Sequence, residues 1–267
     1  MDKLEKLKSI IKSYKTMAVA FSGGVDSTLL AKVAHEVLGD QAIAITIHGN
    51  MHAGYEIEES KELAEEIGIK HVIKSVDAFE IENFVRNDDL RCYYCKKEVF
   101  STIGEIAKSY GITTICDGSN VDDLGDYRPG MKALEELDVK SPLLEAGLSK
   151  QDIRDLSKAY GLYTWEKAAF ACLATRIPTD EEITEDKLRK IEKAEQYLIE
   201  KGFVQFRVRC HGDMARIEVD PKERVKFYDE AFMTEVDDMF KSYGFRYVSL
   251  DLSGYKKGNM NNVRKED

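Results

Sequence analysis

The sequence predicts an α/β fold, in which helices flank a parallel sheet, followed by a smaller α+β domain. Three observations support this prediction. Short apolar runs alternate with amphipathic helical segments over the first two-thirds of the 267 residues. A turn with two consecutive glycines joins the first apolar run to the next helical segment. After about Pro178 the alternation stops, and a different order of helices and strands begins. Strands that alternate with helices form βαβ units, whose strands pair in parallel.

The spacing of apolar residues defines the elements of the first domain. The predicted order is a helix before residue 15, strand 17–21, helix 26–38, strand 42–47, helix 57–67, strand 71–76, helix 97–110 and strand 113–116. Ser149, with Asp152 three residues later, marks the start of another helix, and Gly161 marks its end. Ligands of such sheets bind at the carboxyl ends of the strands, so a site is expected in the loops after Phe21, Ile47 and Cys116.

The remaining segment predicts a second domain. Thr184 is expected to cap a helix running to about Lys201, and residues 203–209, 215–219 and 247–252 have the pattern of strands. We therefore expect residues 1–178 to form the first domain and residues 179–267 to form the second.

Composition narrows the classes of function. The chain is 43% hydrophobic and 33% charged, as in ordinary globular proteins, and its net charge of −10 argues against a broad polyanion-binding surface. We therefore expect no nucleic-acid partner. Residues 1–14 are charged and amphipathic, and no apolar run approaches the ~20 residues that span a bilayer. These features predict a cytoplasmic protein with no membrane partner, whose five cysteines are metal ligands, catalytic thiols or core residues.

The segment 20–27, Ala-Phe-Ser-Gly-Gly-Val-Asp-Ser, has the features of a phosphate-binding loop. It leaves a buried strand and enters a helix, whose N-terminus favours anions. Gly23 and Gly24 have no Cβ, so backbone N–H groups can close around an anion, and Ser22 and Ser27 supply hydroxyl donors. No lysine follows the glycines, so the segment is not a Walker loop. The alternative is a tight turn without function.

The segment resembles the signature of PP-loop ATP pyrophosphatases, which have a Rossmann-like parallel sheet. The resemblance implies that Ser22, Gly23, Gly24, Val25, Asp26 and Ser27 bind the pyrophosphate of ATP, with Asp26 near Mg²⁺. Such enzymes cleave ATP between its α and β phosphates and transfer AMP to an oxygen of the substrate. The charge of the phosphates must be neutralised before a nucleophile can reach the α-phosphate.

Further motifs resemble the LarE family over essentially the full length. They are Asp117–Asn120, residues 126–130, Ser141–Leu143, Trp165–Lys167, Ala171–Pro178, Arg207–Arg209, His211, Ala215–Glu218, Leu250–Tyr255 and residues 258–261. Ala168 departs from the pattern, since many relatives have proline there. The resemblance implies adenylation of the carboxylates of pyridinium-3,5-biscarboxylic acid mononucleotide and their conversion to thiocarboxylates, in biosynthesis of the nickel-pincer nucleotide of lactate racemase. It also implies a homo-oligomer.

The same resemblance assigns roles in the second domain. Glu195 and Glu218 correspond to acidic residues that line a site between the domains. Arg176, Arg207 and Arg209 correspond to basic residues that hold phosphate or carboxylate groups, which a guanidinium binds well. Arg176, Glu195 and Glu218 are expected to act in catalysis with Asp26 and Cys172. From its position alone, on a helix with a highly charged exposed face, Glu195 would be a solvated carboxylate.

Cys92 and Cys95 form a CxxC motif that leaves several interpretations open: a redox dithiol, half of a zinc site or part of an iron–sulfur site. Some LarE relatives keep only the later cysteine, here Cys172, which donates its sulfur and becomes dehydroalanine. Relatives with a CxxC resemble cluster-containing tRNA thiolases. This resemblance implies that Cys92, Cys95 and Cys172 hold a [4Fe–4S] cluster whose open iron binds sulfide. Cys116 is expected to pack in the core, and Cys210 is ambiguous.

Four other functions compete with this prediction. They are sacrificial sulfur transfer from Cys172, thiolation of tRNA, an ammonia-dependent synthetase and a non-enzymatic ATP sensor. The acidic balance argues against tRNA, and an ammonia-dependent enzyme would not need the CxxC. A sensor leaves the arginines and glutamates of the second domain without a purpose. Adenine is expected near residues 48–52, by position only.

Overall fold

The structure, a computed structural model, describes residues 2–124, 129–167 and 171–256. The strands are β1 (Met17–Ala20), β2 (Ala42–His48), β3 (Lys70–Ser75), β4 (Ile115–Cys116), β5 (Phe206–His211), β6 (Met214–Val219) and β7 (Tyr247–Leu250). The helices are α1 (Lys3–Tyr14), α2 (Val25–Leu38), α3 (Gly54–Ile67), α4 (Glu82–Val85), α5 (Arg91–Ser109), α6 (Pro129–Glu136), α7 (Pro142–Ala146), α8 (Lys150–Ala159), α9 (Glu185–Glu200) and α10 (Glu230–Ser242).

The first sheet is parallel throughout and has the strand order β3-β2-β1-β4. The central strand β1 is apolar on both faces, because helices cover both sides of the sheet. Met17 and Val19 pack in one core, and Ala18 packs in the other with Ile43 and Ile103. The chain order reverses beside β1, which makes the carboxyl end of β1 the switch point of the sheet. The predicted α/β class with its parallel sheet is confirmed.

The second sheet has the order β5-β6-β7, in which β5 and β6 are antiparallel and β6 and β7 are parallel. It lies in the C-terminal part of the chain with α9 and α10, so the predicted α+β character is confirmed. The strand β5 begins at Phe206, three residues later than predicted. Phe203 instead closes the end of α9 through a bond from its N–H to the carbonyl of Leu198, and its ring packs against Phe227.

The chain divides into two compact units, Met1–Phe84 with Asp89–Phe170, and Val85–Asp88 with Ala171–Asp267. The sequence placed this boundary at residue 178. Residues 171–178 belong to the second unit because Arg176 is bonded to Glu195 on α9. The short segment 85–88 belongs there because the amide of Asn87 donates to the carbonyls of Pro178 and Glu181.

The helix α5 begins at Arg91, six residues before its predicted start, and it contains the whole CxxC motif. The backbone N–H groups of Tyr93 and Tyr94 both donate to the carbonyl of Leu90, which starts the helix there. The polar and aromatic residues of this turn have no apolar spacing from which a helix could be predicted. Among the described residues, no helix is long and apolar enough to cross a membrane.

Candidate active site

Hydrogen bonds of its own serines fix the conformation of the loop between β1 and α2. Gly23 has a φ of +67°, which glycine adopts without strain. The hydroxyl of Ser27 donates to the carbonyl of Gly24 (3.2 Å), so Ser22 Oγ is the donor in its 3.2 Å contact with Ser27 Oγ. The N–H of Gly24 points to Ser22 Oγ at 3.4 Å, and Gly24 precedes the first turn of α2. These donors and the helix N-terminus make a cradle for an anion.

A buried hydrogen-bonded chain fixes the carbonyl that precedes this loop. Thr46 on β2 donates its hydroxyl proton to the carbonyl of Phe21 (2.6 Å). Thr46 Oγ1 lies 2.7 Å from His71 Nε2, and because the hydroxyl has one proton, the ring nitrogen is the donor. Burial lowers the pKa of His71, and Lys61 adds to the effect. The ring also meets Phe21 edge-on, with 5.5 Å between centroids.

Asp26 lies at the first turn of α2 between two polar partners. Lys150 Nζ is 2.5 Å from one carboxylate oxygen, and the amide of Asn120 donates to the other at 3.2 Å. A Cβ on Gly118 would lie 3.1 Å from Asp26 Cβ, so glycine is needed for the close approach of this loop. The loop that follows β4 therefore positions the carboxylate that the sequence assigned to Mg²⁺.

Lys167 brings a second ammonium group to the phosphate loop. Its Nζ donates to the carbonyl of Gly23 (3.1 Å) and to the carboxylate of Glu59 (2.7 Å). The carbonyl of Lys167 accepts a bond from Arg154 on α8, which holds this segment in place. Lys150 and Lys167 were not predicted from the sequence as charges of this site, because both are more than a hundred residues away in the chain.

Polar residues also line the end of β4. The carboxylate of Asp117 accepts hydrogen bonds from Ser119 Oγ and from Ser141 Oγ (2.6 Å), and Asp117, Ser119 and Asn120 are buried. At the end of β2, His52 Nδ1 accepts from the N–H of Gly49 (3.2 Å). Burial, and then the neighbouring His48, lower the pKa of His52 to about 4, so this ring is neutral.

Cys92 and Cys95 lie three residues apart in the first turns of α5, a spacing that puts both thiols on one side of the helix. Cys92 is exposed and Cys95 is half-buried. Arg91 Nη2 lies 3.9 Å from Cys92 Sγ. Both thiols belong to the first unit.

In the second unit, Arg176 and Glu195 form a buried ion pair with two parallel hydrogen bonds. Nε donates to Oε1 at 2.9 Å and Nη2 donates to Oε2 at 2.8 Å. Glu195 is 5% exposed, so the interpretation as a solvated carboxylate is wrong. Arg176 Nη1 donates to the carbonyls of Ala171 (2.5 Å) and Cys172 (3.1 Å). Cys172 is half-buried and precedes a single 3₁₀ turn, Leu173–Arg176.

Arg209 on β5 pairs with Glu218 on β6. Its Nε and Nη2 both lie within 3.0 Å of Glu218 Oε2, and its Nη1 donates to the carbonyl of Thr175 at 3.0 Å. Arg216 Nη2 donates to the other oxygen of Glu218 (3.0 Å) and Arg216 Nη1 lies 3.6 Å from Asp251. Arg216 occurs in a sequence motif but was not predicted as a site residue.

Arg207 shares a face of β5 with Arg209, because the two residues are two apart on the strand. It is 4% exposed, its Nη1 donates to the carbonyl of Phe206 (2.6 Å), and its guanidinium lies 5.0 Å from the ring centroid of Tyr255. Burial and the positive charge of Arg176 lower the pKa of Arg207. The carboxylate of Glu195 acts in the opposite direction and raises this pKa. An arriving anion would likewise stabilise the buried guanidinium.

The other cysteines are core residues. Cys116 is completely buried in the first unit, as predicted, and burial raises the pKa of its thiol well above the usual range. Cys210 is also buried, and burial raises its pKa to about 11. Within the described ranges, no three His, Cys, Asp or Glu side chains are grouped as for a metal ion. Of the motifs noted above, residues 126–128, Ala168 and residues 258–261 lie outside the described residues.

Residues 1–124 match the PP-loop domain family. The parallel sheet and the loop after β1 therefore define a PP-loop protein. Pyridinium-3,5-bisthiocarboxylic acid mononucleotide synthase of Lactiplantibacillus plantarum is 37% identical over 258 residues, 96% of this chain and 93% of that enzyme. This similarity extends over nearly the whole length of both chains. The chain therefore belongs to the family of that synthase, the LarE family.

Two further relatives match nearly full length. An uncharacterized protein of Synechocystis sp. is 41% identical over 261 residues, 98% of this chain and 97% of its own. An uncharacterized protein of Methanocaldococcus jannaschii is 30% identical over 261 residues, 96% of this chain and 98% of its own. The similarity in each case includes both units of the fold.

Proposed function

We propose that this chain is an ATP-dependent sulfurtransferase that converts the carboxylates of pyridinium-3,5-biscarboxylic acid mononucleotide to thiocarboxylates. The loop after β1, whose conformation is fixed by Ser22 and Ser27, is the observation that supports this proposal best. The chain is also 37% identical to a pyridinium-3,5-bisthiocarboxylic acid mononucleotide synthase over 96% of its length. The product would be an intermediate of the nickel-pincer nucleotide, the cofactor of lactate racemase. We also propose that the protein acts in the cytoplasm as a homo-oligomer.

The first half-reaction is adenylation. A carboxylate oxygen of the substrate attacks the α-phosphate of ATP, and pyrophosphate leaves. The loop 22–27 would hold the pyrophosphate with backbone N–H groups and the hydroxyls of Ser22 and Ser27. Asp26 would hold Mg²⁺, whose charge offsets that of the phosphates. Lys150 and Lys167 lie beside the loop and add the positive charge that the loop itself lacks.

The second half-reaction replaces the activated oxygen with sulfur. A sulfur nucleophile attacks the acyl carbon of the adenylate, and AMP leaves with the original carboxylate oxygen, so a thiocarboxylate remains. We propose that Arg207 in the second unit binds an anionic group of the substrate, because burial and the charge of Arg176 lower the pKa of its guanidinium and an anion would offset both. We propose that Arg176 and Arg209 hold phosphate or carboxylate groups there, and that Arg176, Glu195 and Glu218 act in catalysis.

Cys92, Cys95 and Cys172 are the residues that we propose to hold a [4Fe–4S] cluster. Their chemistry fits, since thiolates are the ligands of such clusters and all three thiols are at least partly accessible, unlike those of Cys116 and Cys210. When bound, the cluster would supply a site for hydrosulfide, so that the cysteines would not be consumed.

The alternative source of sulfur is Cys172 itself. In that case its thiolate attacks the adenylate and forms a thioester, and loss of the Cα proton with cleavage of the Cβ–S bond releases the thiocarboxylate and leaves dehydroalanine. Cys172 is half-buried immediately before the 3₁₀ turn Leu173–Arg176, so its thiol is partly accessible for this attack. Each chain would then transfer one sulfur atom.

The test combines metal analysis with product analysis. The protein is purified without oxygen and supplied with ATP, Mg²⁺, the dicarboxylate nucleotide and sulfide. We expect release of AMP and pyrophosphate that depends on the nucleotide, a thiocarboxylate product, and about four iron and four sulfide per chain. Iron-free protein after anaerobic reconstitution would contradict the cluster, and loss of one H₂S from Cys172 would establish the sacrificial route. Pyrophosphate release with tRNA, but not with the nucleotide, would contradict the proposed substrate.

A further inference from the structure

We propose that His71 and Thr46 are positioning residues for the phosphate loop, and that they hold the peptide group between Phe21 and Ser22 in the orientation that binds pyrophosphate. We call His71, Thr46 and the carbonyl of Phe21 the relay. Thr46 lies on β2 and His71 on β3, so neither belongs to the loop itself. The inference rests on the proposed function of this loop in ATP cleavage, and it adds two residues of the neighbouring strands to the ATP site.

A single hydroxyl proton determines the direction of both hydrogen bonds in the relay. Thr46 Oγ1 lies 2.6 Å from the carbonyl oxygen of Phe21, and a carbonyl can only accept, so the proton of Thr46 is directed there. Thr46 Oγ1 also lies 2.7 Å from His71 Nε2, which must then be the donor. Because burial lowers the pKa of His71 below its usual 6.5, the ring is neutral at pH 8. The neutral ring therefore has its proton on Nε2 and not on Nδ1.

The peptide group between Phe21 and Ser22 is bonded on both sides. Its carbonyl accepts from Thr46, and its N–H, which belongs to Ser22, donates to Ser27 Oγ at 3.3 Å. A peptide group is planar, so fixing the direction of the carbonyl also fixes that of the N–H. The N–H of Phe21 is held as well, by the carbonyl of Ile45 at 2.9 Å. Thr46 therefore determines how the chain enters the phosphate loop.

The orientation of this peptide group sets the position of Ser22, the first residue of the loop. Ser22 Oγ lies 3.2 Å from Ser27 Oγ, and the N–H of Gly24 points to it at 3.4 Å. Rotation of the peptide group would displace Ser22 and break these contacts. Because only molecules with the donors in place bind pyrophosphate, the affinity falls in proportion to the fraction of molecules in that state.

His71 contacts Phe21 through its ring as well as through Thr46. The two rings meet edge-on, with 5.5 Å between centroids and 88° between planes. Phe21 is 2% exposed and Thr46 is 8% exposed, so water cannot readily replace the hydroxyl of Thr46 as a donor. A buried carbonyl without a donor is unfavourable, and the peptide group would turn toward other donors. The relay thus stabilises one conformation of the loop against others.

The first experiment measures the affinity for Mg·pyrophosphate by isothermal titration, in variants that separate the two contacts of His71. Thr46→Val removes the hydroxyl and keeps the shape of the side chain, whereas Thr46→Ser keeps the hydroxyl. His71→Phe keeps an aromatic ring against Phe21 without a donor, whereas His71→Gln supplies an amide N–H in place of the ring. We expect Thr46→Val to weaken binding about tenfold and His71→Phe about threefold, as for loss of one neutral hydrogen bond. Thr46→Ser and His71→Gln should bind within about twofold of the wild type.

The double variant Thr46→Val/His71→Phe tests whether His71 acts through Thr46. If it does, the double variant binds Mg·pyrophosphate as weakly as Thr46→Val alone, because the N–H of His71 has no acceptor once the hydroxyl is absent. Additive losses, about thirtyfold in total, would mean that the two side chains act independently, and that result would overturn the relay.

The second experiment separates positioning of the loop from general stability. Adenylation is followed as pyrophosphate release at saturating dicarboxylate nucleotide, and urea unfolding gives the stability of each variant. In Thr46→Val and His71→Phe we expect the KM for ATP to rise by the same factors as the pyrophosphate dissociation constants, with kcat within about twofold of the wild type, since bound phosphates hold the loop in place. Ser249→Ala is the matched control, because its hydroxyl also donates to a carbonyl of a neighbouring strand, that of Ala215 (3.2 Å), but in the second sheet. It should lower stability and leave the KM for ATP unchanged.

The tautomer of His71 is measured directly by nitrogen NMR of histidine-labelled protein at pH 8, with His71→Gln to assign the signal. We expect a proton on Nε2 and none on Nδ1. A proton on Nδ1 alone would make Thr46 donate to His71 and would overturn the relay, as would wild-type pyrophosphate affinity in folded Thr46→Val and His71→Phe. Wild-type protein that neither binds nor releases pyrophosphate would instead contradict the proposed function of the loop itself.

Discussion

Lys150 Nζ lies 2.5 Å from a carboxylate oxygen of Asp26, although 124 residues separate the two in the chain. The amide of Asn120 donates to the other oxygen, so both ends of the carboxylate are fixed. A carboxylate beside a phosphate loop would repel ATP if it were left uncompensated. Lys150 removes that repulsion at the first turn of α2 and adds a positive charge next to the phosphates.

We predict that Lys150→Met weakens the affinity for Mg·ATP and for Mg·pyrophosphate by about tenfold, which is the scale expected for one partly exposed charge. The measurement is isothermal titration with each ligand. Lys3→Met is the control. Lys3 pairs with Asp152, which lies on α8 like Lys150, but this pair is not part of the phosphate loop. If Lys150 only blocked Asp26 from binding Mg²⁺, its removal would tighten binding, and that result would contradict the prediction.

Gly118 lies in the same loop as Asn120, after β4, where it approaches the start of α2 closely. A Cβ at this position would lie 3.1 Å from Asp26 Cβ and 3.2 Å from the backbone N of Ser27, and neither atom is the end of a flexible side chain. We therefore expect Gly118→Ala to displace the start of α2, to lower the free energy of unfolding by about 1–3 kcal/mol and to weaken pyrophosphate binding.

The matched control is Gly104→Ala in the middle of α5. Its new Cβ would meet only the terminal methyl of Ile115 at 3.3 Å, and alanine is favoured over glycine in a helix by up to ~1 kcal/mol. Urea unfolding and pyrophosphate titration of both variants test the comparison. Equal ligand affinity in Gly118→Ala and the wild type would show that the loop after β4 does not position Asp26.

The sequence was sufficient to predict those parts of the structure that residues close together in the chain determine. Residues 20–27 combine strand, glycines, serines and helix start in one segment, and the structure confirms the strand–loop–helix arrangement. Lys150 and Lys167 could not be found in this way, because only the folded chain brings them to residues 23 and 26. The charge of a lysine in the sequence does not say which distant carbonyl or carboxylate it will meet.

The spacing of apolar residues on α9 indicates that Glu195 is buried, but it does not identify its partner. The buried residues of α9 include Ile191, Ala194 and Leu198, and Glu195 falls within their stripe at position i+4 from Ile191. The apolar period therefore contained a signal that this carboxylate points inward. Its partner Arg176 could not be predicted from spacing, because it is the last residue of a single 3₁₀ turn, which is too short for a periodic pattern.

His52 should make the protein less stable as the solution becomes acidic. Its folded pKa is about 4, below the usual 6.5, because of burial and the neighbouring His48. The unfolded chain therefore binds a proton first when the pH falls below about 6.5, and stability is lost until the pH reaches about 4. Between pH 7 and pH 4.5 this group alone should lower the free energy of unfolding by about 2.5 kcal/mol.

Urea unfolding of the wild type and of His52→Asn at several pH values isolates this contribution. Asparagine can still accept the hydrogen bond from the N–H of Gly49, but it does not titrate. His71, whose pKa is also lowered, is unchanged in both proteins and cancels in the difference. We expect the two stability curves to diverge below pH 6.5, with the variant less sensitive to acid. Parallel curves would mean that His52 is protonated in the folded protein.

The cysteines should differ in reactivity according to their burial. Burial raises the pKa of Cys116 well above its usual range and that of Cys210 to about 11, whereas Cys92 is exposed. Because the thiolate is the nucleophile, a pKa two units higher reduces the reactive fraction about 100-fold near neutral pH. In chelator-treated protein at pH 8, we expect iodoacetamide to modify Cys92 well before Cys116 and Cys210.

Peptide mapping after timed alkylation measures these rates, and the urea-unfolded chain is the control in which all five cysteines become accessible. A Cys92→Ser variant should lose the fastest label and leave the slow labelling of Cys116 and Cys210 unchanged, because these buried thiols lie on β4 and β5 while Cys92 is exposed on α5. Modification of Cys210 as fast as that of Cys92 in the folded protein would mean that β5 opens readily.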